Sequence, residues 1–300
     1  MAMVLAALGY SLTRQQAGNS NKKIKTEIFM KKLIILSMLV VGLCLGGGQA
    51  MAMQLSINGS TTVLPIAQEV AEAYMKENPG INISIAGTGS GNGIKAVIDG
   101  MTHIGMSSRW IRDNEVKLAF DNGIYVVPFA IALDAIIPVV HPSNPLKNLT
   151  SEQLRNIYNG NITNWKDVGG EDRPIVSISR DSSSGTYGVW VDVALKGDRV
   201  SPRTQLLPSN GAIVQAVSGN PNAIGYIGIG YMNENLKALS LDNIEPSFEN
   251  AASGDFPISR TLWLFTDNWP KGEILKFMNF MLHPEKGQPL VKKVGYVPLY

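Results

Sequence analysis

Gln54-Leu55-Ser56-Ile57-Asn58-Gly59-Ser60-Thr61-Thr62-Val63-Leu64-Pro65 is the stretch on which the reading of this chain turns. Apolar residues alternate over Gln54 to Ile57 as in a strand, Gly59 stops it, three hydroxyl residues follow, and Leu64, Ala67, Val70, Ala71 and Tyr74 then recur on one helical face. Thr61 or Thr62 is expected to cap that helix, with Pro65 tolerated in its first turn. The same unit returns downstream. Ile81 to Ile85 leads through Gly87-Thr88-Gly89-Ser90-Gly91 into Ile94 to Ile98, and Ile104 to Met106 leads through Ser107-Ser108-Arg109 into Asp113 to Asp121. Tyr125 to Val140 is a long apolar run interrupted by Asp134, and Thr150 with Gln153 forms a capping box for a helix over Ser151 to Tyr158. Strands alternating with helices predict an α/β protein with a mostly parallel sheet.

The junctions carry the chemistry. Free backbone N–H groups at a helix start favour negative charge, glycine lets the backbone approach a ligand, and Ser or Thr hydroxyls add donors without bulk. Arg180-Asp181-Ser182-Ser183-Ser184-Gly185-Thr186 is a further junction of this kind, and Arg109 and Arg180 offer planar forks suited to an oxyanion. An N-cap Ser or Thr is by itself only a cap; the repetition at four helix starts is what suggests an anion cage.

The first fifty or so residues read differently. Met30-Lys31-Lys32 opens a basic start, Leu33 to Leu45 is apolar, and Ala50-Met51-Ala52 is a small-x-small site, which predicts a signal peptide over 30–52 cut after Ala52, export to the periplasm, and an upstream extension over 1–29 that belongs to no fold. The apolar core is well short of a membrane span. Removing residues 1–52 takes six basic and one acidic residue from 26 and 24, leaving 20 and 23, a balance of about −3 that removes any electrostatic motive for nucleic-acid binding. The single cysteine, Cys44, falls in the leader, so the mature chain has neither disulfide nor thiol chemistry. As a lipid anchor Cys44 would follow the bulky Leu43 where a small residue is wanted.

Enzyme readings find little support. The glycine run from Gly87 fits neither G-x-G-x-x-G nor G-x-x-x-x-G-K-[ST], and His103, His141 and His283 stand in no metal spacing. Ser184 with His103 or His141 would be the hydrolase to consider, but no G-x-S-x-G elbow exists. Trp263, Phe265 and Trp269 read as packing rather than as a sugar platform. No catalytic residue, metal or cofactor is expected.

Gly59 to Pro65, Ala86 to Gly91, Ile104 to Arg109, Asn148 to Gly160 and Ser179 to Thr186, extended by Ile224 to Gly228 and Pro257 to Trp263, closely resemble the periplasmic phosphate-binding proteins of ABC phosphate transporters. The resemblance runs from about Gln54 to the C-terminus. It implies a type II periplasmic binding protein: two α/β lobes, 53–130 with 258–300 and 131–257, joined by two crossing strands near Pro128 to Leu133 and Phe256 to Leu264, with the ligand in the cleft. The implied partners are inorganic phosphate and a membrane permease, the protein itself a monomer. Carried over by motif, Thr61, Thr62 and Ser90 offer donors, Arg180 pairs with the anion, and Ser184, Gly185 and Thr186 form a donor nest; Ser60, Gly91, Ser107, Ser108, Arg109, Asp134 and Ser183 complete the expected cage. The departure is at Ser108 and Ser182, where well-known members place aspartates that accept the proton of hydrogen phosphate and repel sulfate. Asp134 or Asp181 is expected to take over, with Arg109 the suggested partner of Asp134. Sulfate, molybdate or tungstate are the alternative ligands, an exported phosphatase-like hydrolase or an adhesive surface role the alternatives of another class.

Overall fold

The computed structural model describes residues 30–32 and 53–300. The expected extension, most of the leader with its cleavage site, and Cys44 lie outside the described residues.

Strand β1 (Met53–Gly59) gives way to helix α1 (Leu64–Glu77), β2 (Ile81–Gly87) to α2 (Ser90–Ile98), and β3 (Ile104–Ser107) to α3 (Asp113–Asp121). β1 lies between β2 and β3, parallel to both. Of the apolar face anticipated for α1, Ala67, Val70, Ala71 and Tyr74 turn inward, joined by Ile66, while Leu64 is only half-buried. A second set follows β4 (Val126–Val140): the short β5 (Asn148–Leu149), α4 (Ser151–Asn159), β6 (Val176–Arg180), α5 (Gly185–Val189) continued by a π turn (Trp190–Ala194), β7 (Gln205–Leu207), α6 (Asn210–Ser218), β8 (Ala223–Gly228), the short β9 (Lys237–Ala238) and β10 (Ser240–Leu241), and α7 (Phe248–Ser253). β11 (Ser259–Asp267), α8 (Gly272–Leu282) and α9 (Gly287–Lys293) then return to the first set.

The main sheet runs β2-β1-β3-β11-β4-β8-β6-β7. Its wings are parallel, but its centre is not: β11 is antiparallel to both β3 and β4, and β4 is antiparallel to β8. The expectation of a mostly parallel sheet is therefore corrected to a mixed one. The reason is connectivity: two long strands carry the chain in opposite directions between the two sets of elements.

Among the described residues two large apolar cores result, beside a smaller cluster of Ile94, Ile98, Ile111, Ala119 and Phe265. One gathers Leu55 and Ile57 with Val70, Ile131 and Ala132 and, from the far end of the chain, Leu262, Leu264, Phe277, Met281 and Tyr296. The other gathers Ala135 to Val140 with Tyr158, Trp190, Ile213, Tyr226 and Ile258. Each lobe is an α/β layer over its own core. Residues 126–135 of β4 pair with β11 and 136–140 with β8, so one strand serves both cores and changes partner between Ala135 and Ile136. The junction carries a third segment beyond the two anticipated. Leu133 exchanges backbone hydrogen bonds with Val297, N–H to O distances 2.9 and 3.2 Å, so the chain's last residues lie beside β4, Tyr296 in one core and Val297 in the other.

Candidate functional site

Gly59 ends β1 at φ 138°, and a Cβ there would stand 2.2 Å from Met106 O. Only glycine permits that turn, which delivers Ser60, Thr61 and Thr62 to the cleft between the lobes. The cap differs from expectation. Val63 holds the N-cap position of α1 with no side-chain bond, while Ser60 Oγ, three residues earlier in the loop, accepts from the N–H groups of Thr62 (3.1 Å) and Val63 (3.4 Å). Thr61 and Thr62 are thereby released from capping, because Ser60 does it for them. Ser107 is likewise spent locally, bonding the Arg109 carbonyl at 2.8 Å.

From the second lobe, Ser184 caps α5 by accepting from Tyr187 N–H at 3.2 Å. Ser184 is bonded to neither histidine considered for a hydrolase: His103 is engaged with Ser56 and His141 with Ser143. Asp181 takes the Ser183 N–H at 2.8 Å and the Ser183 hydroxyl, which shapes the loop rather than orienting Arg180.

The two lobes meet through these loops. Gly91 N–H donates to Ser183 O at 2.9 Å, Thr62 Oγ1 lies 3.0 Å from Thr186 Oγ1, and Tyr231 hydroxyl donates to Thr61 O at 2.6 Å. Ser90 Oγ accepts from Ser108 N–H at 3.0 Å, and a Cβ on Gly185 would stand 2.3 Å from Ser90 Oγ and 2.8 Å from Ser108 Oγ. Gly185 thus brings the N-terminus of α5 against the serines of the opposite lobe. Gly89 does the converse at φ 104°, where a Cβ would meet Ser183 Oγ at 2.5 Å. Of the expected residues, Thr61, Thr62, Ser90, Gly91, Ser108, Ser183, Ser184, Gly185 and Thr186 come together in this way.

The charges sort themselves in a manner the sequence did not reveal. Asp134 is fully buried and bound by Arg260, Nε at 2.8 Å and Nη2 at 2.7 Å, with Ile229 N–H on its other oxygen at 3.0 Å. Burial pushes its carboxyl above the ordinary carboxylate range, while Arg260 and the Ile229 N–H pull the other way. Arg260 also reaches Ser108 O (3.1 Å) and Thr62 Oγ1 (3.3 Å), tying β4, β11 and the first-lobe loops together. Arg109, the suggested partner of Asp134, is instead held by both oxygens of Glu115 at 2.7 and 2.8 Å. That corrects the reading of Arg109 as Asp134's partner: Glu115 lies six residues on, in the first turn of α3, and its carboxylate also receives Arg112 N–H.

Arg180 is different. It ends β6 with a side chain 1% exposed, and its donors go to two backbone carbonyls, Leu207 O at 3.1 Å and Pro208 O at 2.8 Å. Among the described residues it forms no ion pair, although Arg109, Arg155 and Arg260 each do. Burial lowers its affinity for the proton and nearby Arg260 adds to that, yet a guanidinium stays charged at any physiological pH. A buried cation without a carboxylate is a cost unless an anion joins it.

The residues that sequence reasoning passed over are Arg260, Asn210 and Tyr231. Arg260 lay inside a quoted motif without a part assigned to it. Asn210 stands directly after the N-cap Ser209 of α6 and donates to Thr61 Oγ1 (3.2 Å) and Thr62 Oγ1 (3.0 Å). A Ser-Asn pair opening a helix is the only signal it gave.

A profile described as a PBP superfamily domain matches residues 46–285, most of the chain. The chain belongs to that superfamily. Within it, this member is 31% identical to the Bacillus subtilis phosphate-binding protein PstS over 253 residues, 82% of this chain and 80% of that one. It is 34% identical to the Borreliella burgdorferi phosphate-binding protein PstS over 254 residues, 81% and 88% of the two chains. Among solved structures, it is similar to a Clostridium perfringens protein described as a phosphate ABC transporter substrate-binding protein with bound phosphate, with a TM-score of 0.77 and 34% identity over 82% of this chain and 100% of that one. An ABC-type phosphate transport receptor from Vibrio cholerae gives a TM-score of 0.67 and 31% identity over 81% and 99%. The superfamily's fold is the one described above, two α/β lobes about a cleft.

Proposed function

We propose that this chain is an exported solute-binding protein that captures inorganic phosphate between its lobes and delivers it to the permease of an ABC transporter. Arg180 carries the reading: a buried guanidinium with no carboxylate partner among the described residues, on the loop that also supplies Ser184, Gly185 and Thr186. Thr61, Thr62, Ser90 and Ser108 face these residues from the first lobe, and the helix starts of α2 and α5 add backbone donors and favourable dipoles. The names of the relatives support phosphate and an ABC transporter. We place the first lobe at 53–132 with 262–296 and the second at 135–258, and read the protein as a monomer that binds without reacting.

Closing the lobes on the anion would bury it and present the permease with a closed shape. Calorimetric titration of the purified chain, stripped of bound anion, with phosphate and then sulfate tests this. Tight phosphate binding that is lost in Arg180→Ala is expected; phosphate ignored by a folded, stripped chain would overturn it. The second reading, a site that takes sulfate as well, is favoured by one observation: Ser108 stands where the resemblance implies a carboxylate, and Asp134, the buried acid nearby, already has both oxygens committed.

A further inference from the structure

Asn210 is fully buried in the first turn of α6. Gly228 N–H donates to its Oδ1 at 3.2 Å. A backbone N–H can only donate, so this contact decides which end of the amide is oxygen. Nδ2 must then face the first lobe, where it has Thr61 Oγ1 and Thr62 Oγ1 within 3.2 Å, one for each of its hydrogens.

The direction of the hydroxyls follows. A hydroxyl has one hydrogen and two lone pairs. Thr62 Oγ1 also receives Arg260 Nη2 at 3.3 Å, so both of its lone pairs are filled and its hydrogen goes to the remaining neighbour, Thr186 Oγ1, 3.0 Å away on the other lobe. Thr186, having accepted, has its own hydrogen left for the cleft. Thr61, having accepted from Asn210, does too. We propose that Asn210 is a positioning residue that fixes Thr61 and Thr186 as hydrogen donors toward the anion, through direct contact with Thr61 and through Thr62. The inference rests on the reading of the site as an oxyanion cage. Its consequence is that this wall of the cage favours the more ionised form of phosphate.

Asn210→Asp is the test. The carboxylate keeps the Gly228 contact but has no hydrogen to give, so Thr61 and Thr62 turn their hydrogens toward it and Thr61 offers a lone pair to the ligand. That lone pair accepts a proton from phosphate and repels an ionised oxygen. Asp134 on β4, Arg260 on β11, Arg180 and Asp181 at the end of β6, Tyr226 on β8, Tyr231 after it and Tyr296 near the C-terminus are charged or titratable groups of this region, and they are common to both proteins. Phosphate affinity of the full chain is measured by calorimetry from about pH 6 to about pH 8.5. The variant is expected to bind about 100-fold more weakly at the alkaline end, with a deficit about tenfold smaller at the acid end, in line with loss of a charge-assisted bond and gain of a repulsion. Wild-type affinity, or a deficit that does not change with pH, would overturn the proposal. Should the aspartate unfold the protein, Asn210→Ala and Thr61→Val are made singly and together: losses smaller in combination than their sum are expected, and strictly additive losses count against it. Failure of the unaltered chain to bind phosphate would sink the functional reading, and this one with it; a variant indistinguishable from a phosphate-binding parent would sink this one alone.

Discussion

Arg180 and Arg260 are guanidinium groups buried in one site, and they differ in what neutralises them. Arg260 has Asp134; Arg180, among the described residues, has only carbonyl dipoles. Arg180→Lys keeps the charge but loses the fork, and phosphate affinity is expected to fall about tenfold, against about 100-fold or more for Arg180→Ala, measured by calorimetry. At Asp134 the effect belongs to stability. Asp134→Asn leaves Arg260 buried without its counter-charge and is expected to cost about 3–5 kcal/mol in urea unfolding, whereas Asp134→Leu with Arg260→Met together should cost much less. The hydroxyl and glycine residues of this site were legible because helix starts announce themselves locally in sequence. The Asp134–Arg260 pair was not: its members are joined only by the register of β4 on β11, which no local pattern encodes. Arg109 differs, since its partner Glu115 is only six residues on, in the first turn of α3, and its carboxylate was not weighed against Asp134.

At the scale of elements, α1 and α8 are joined by more than their apolar faces. Tyr74 hydroxyl donates to Glu273, whose carboxylate also receives Lys276 Nζ at 3.1 Å, and Tyr74 stacks edge-on against Phe277 and Phe280. The Tyr74 bond, followed by Lys276, holds Glu273 below the usual carboxylate range. A carboxylate with a lowered pKa contributes stability above its unfolded value that is lost as pH falls through the folded one. Tyr74→Phe should therefore cost about 1–3 kcal/mol near neutral pH and progressively less as acid protonates Glu273 below about pH 4.5, read as the gap between two unfolding curves. Element boundaries were mostly readable: α3 begins and ends where its pattern does, and the Thr150–Gln153 capping box is formed. The cap of α1 was missed because Ser60 bonds backbone from outside the helix, and the antiparallel centre because direction is a property of connections, not of strands.

For the whole molecule, closure is held by few bonds, and Tyr231 makes one that no ligand is needed to explain. Burial pushes its phenol up to about 12, so it remains a donor to Thr61 O across the working range of pH. Tyr231→Phe is expected to shift the lobes toward an open form, with phosphate affinity about five- to tenfold weaker and a larger radius of gyration by small-angle scattering without phosphate, the difference vanishing at saturation. An unchanged radius would show that closure does not depend on this bond.

β4 also bears on how the chain comes into being. The second core is built almost wholly from one uninterrupted stretch, Ala135 to Ile258, and has nearly all its members once that stretch is present. The first is not: Leu55, Ile57 and Val70 must wait for Phe277, Met281 and Tyr296, more than two hundred residues later. Synthesised from its N-terminus, the chain is expected to complete its second core before its first, and the earliest-made strands are the last to be covered. Until Phe277, Met281 and Tyr296 are present, the first core lacks the residues that close it, so that lobe stays incompletely folded until the end of the chain emerges.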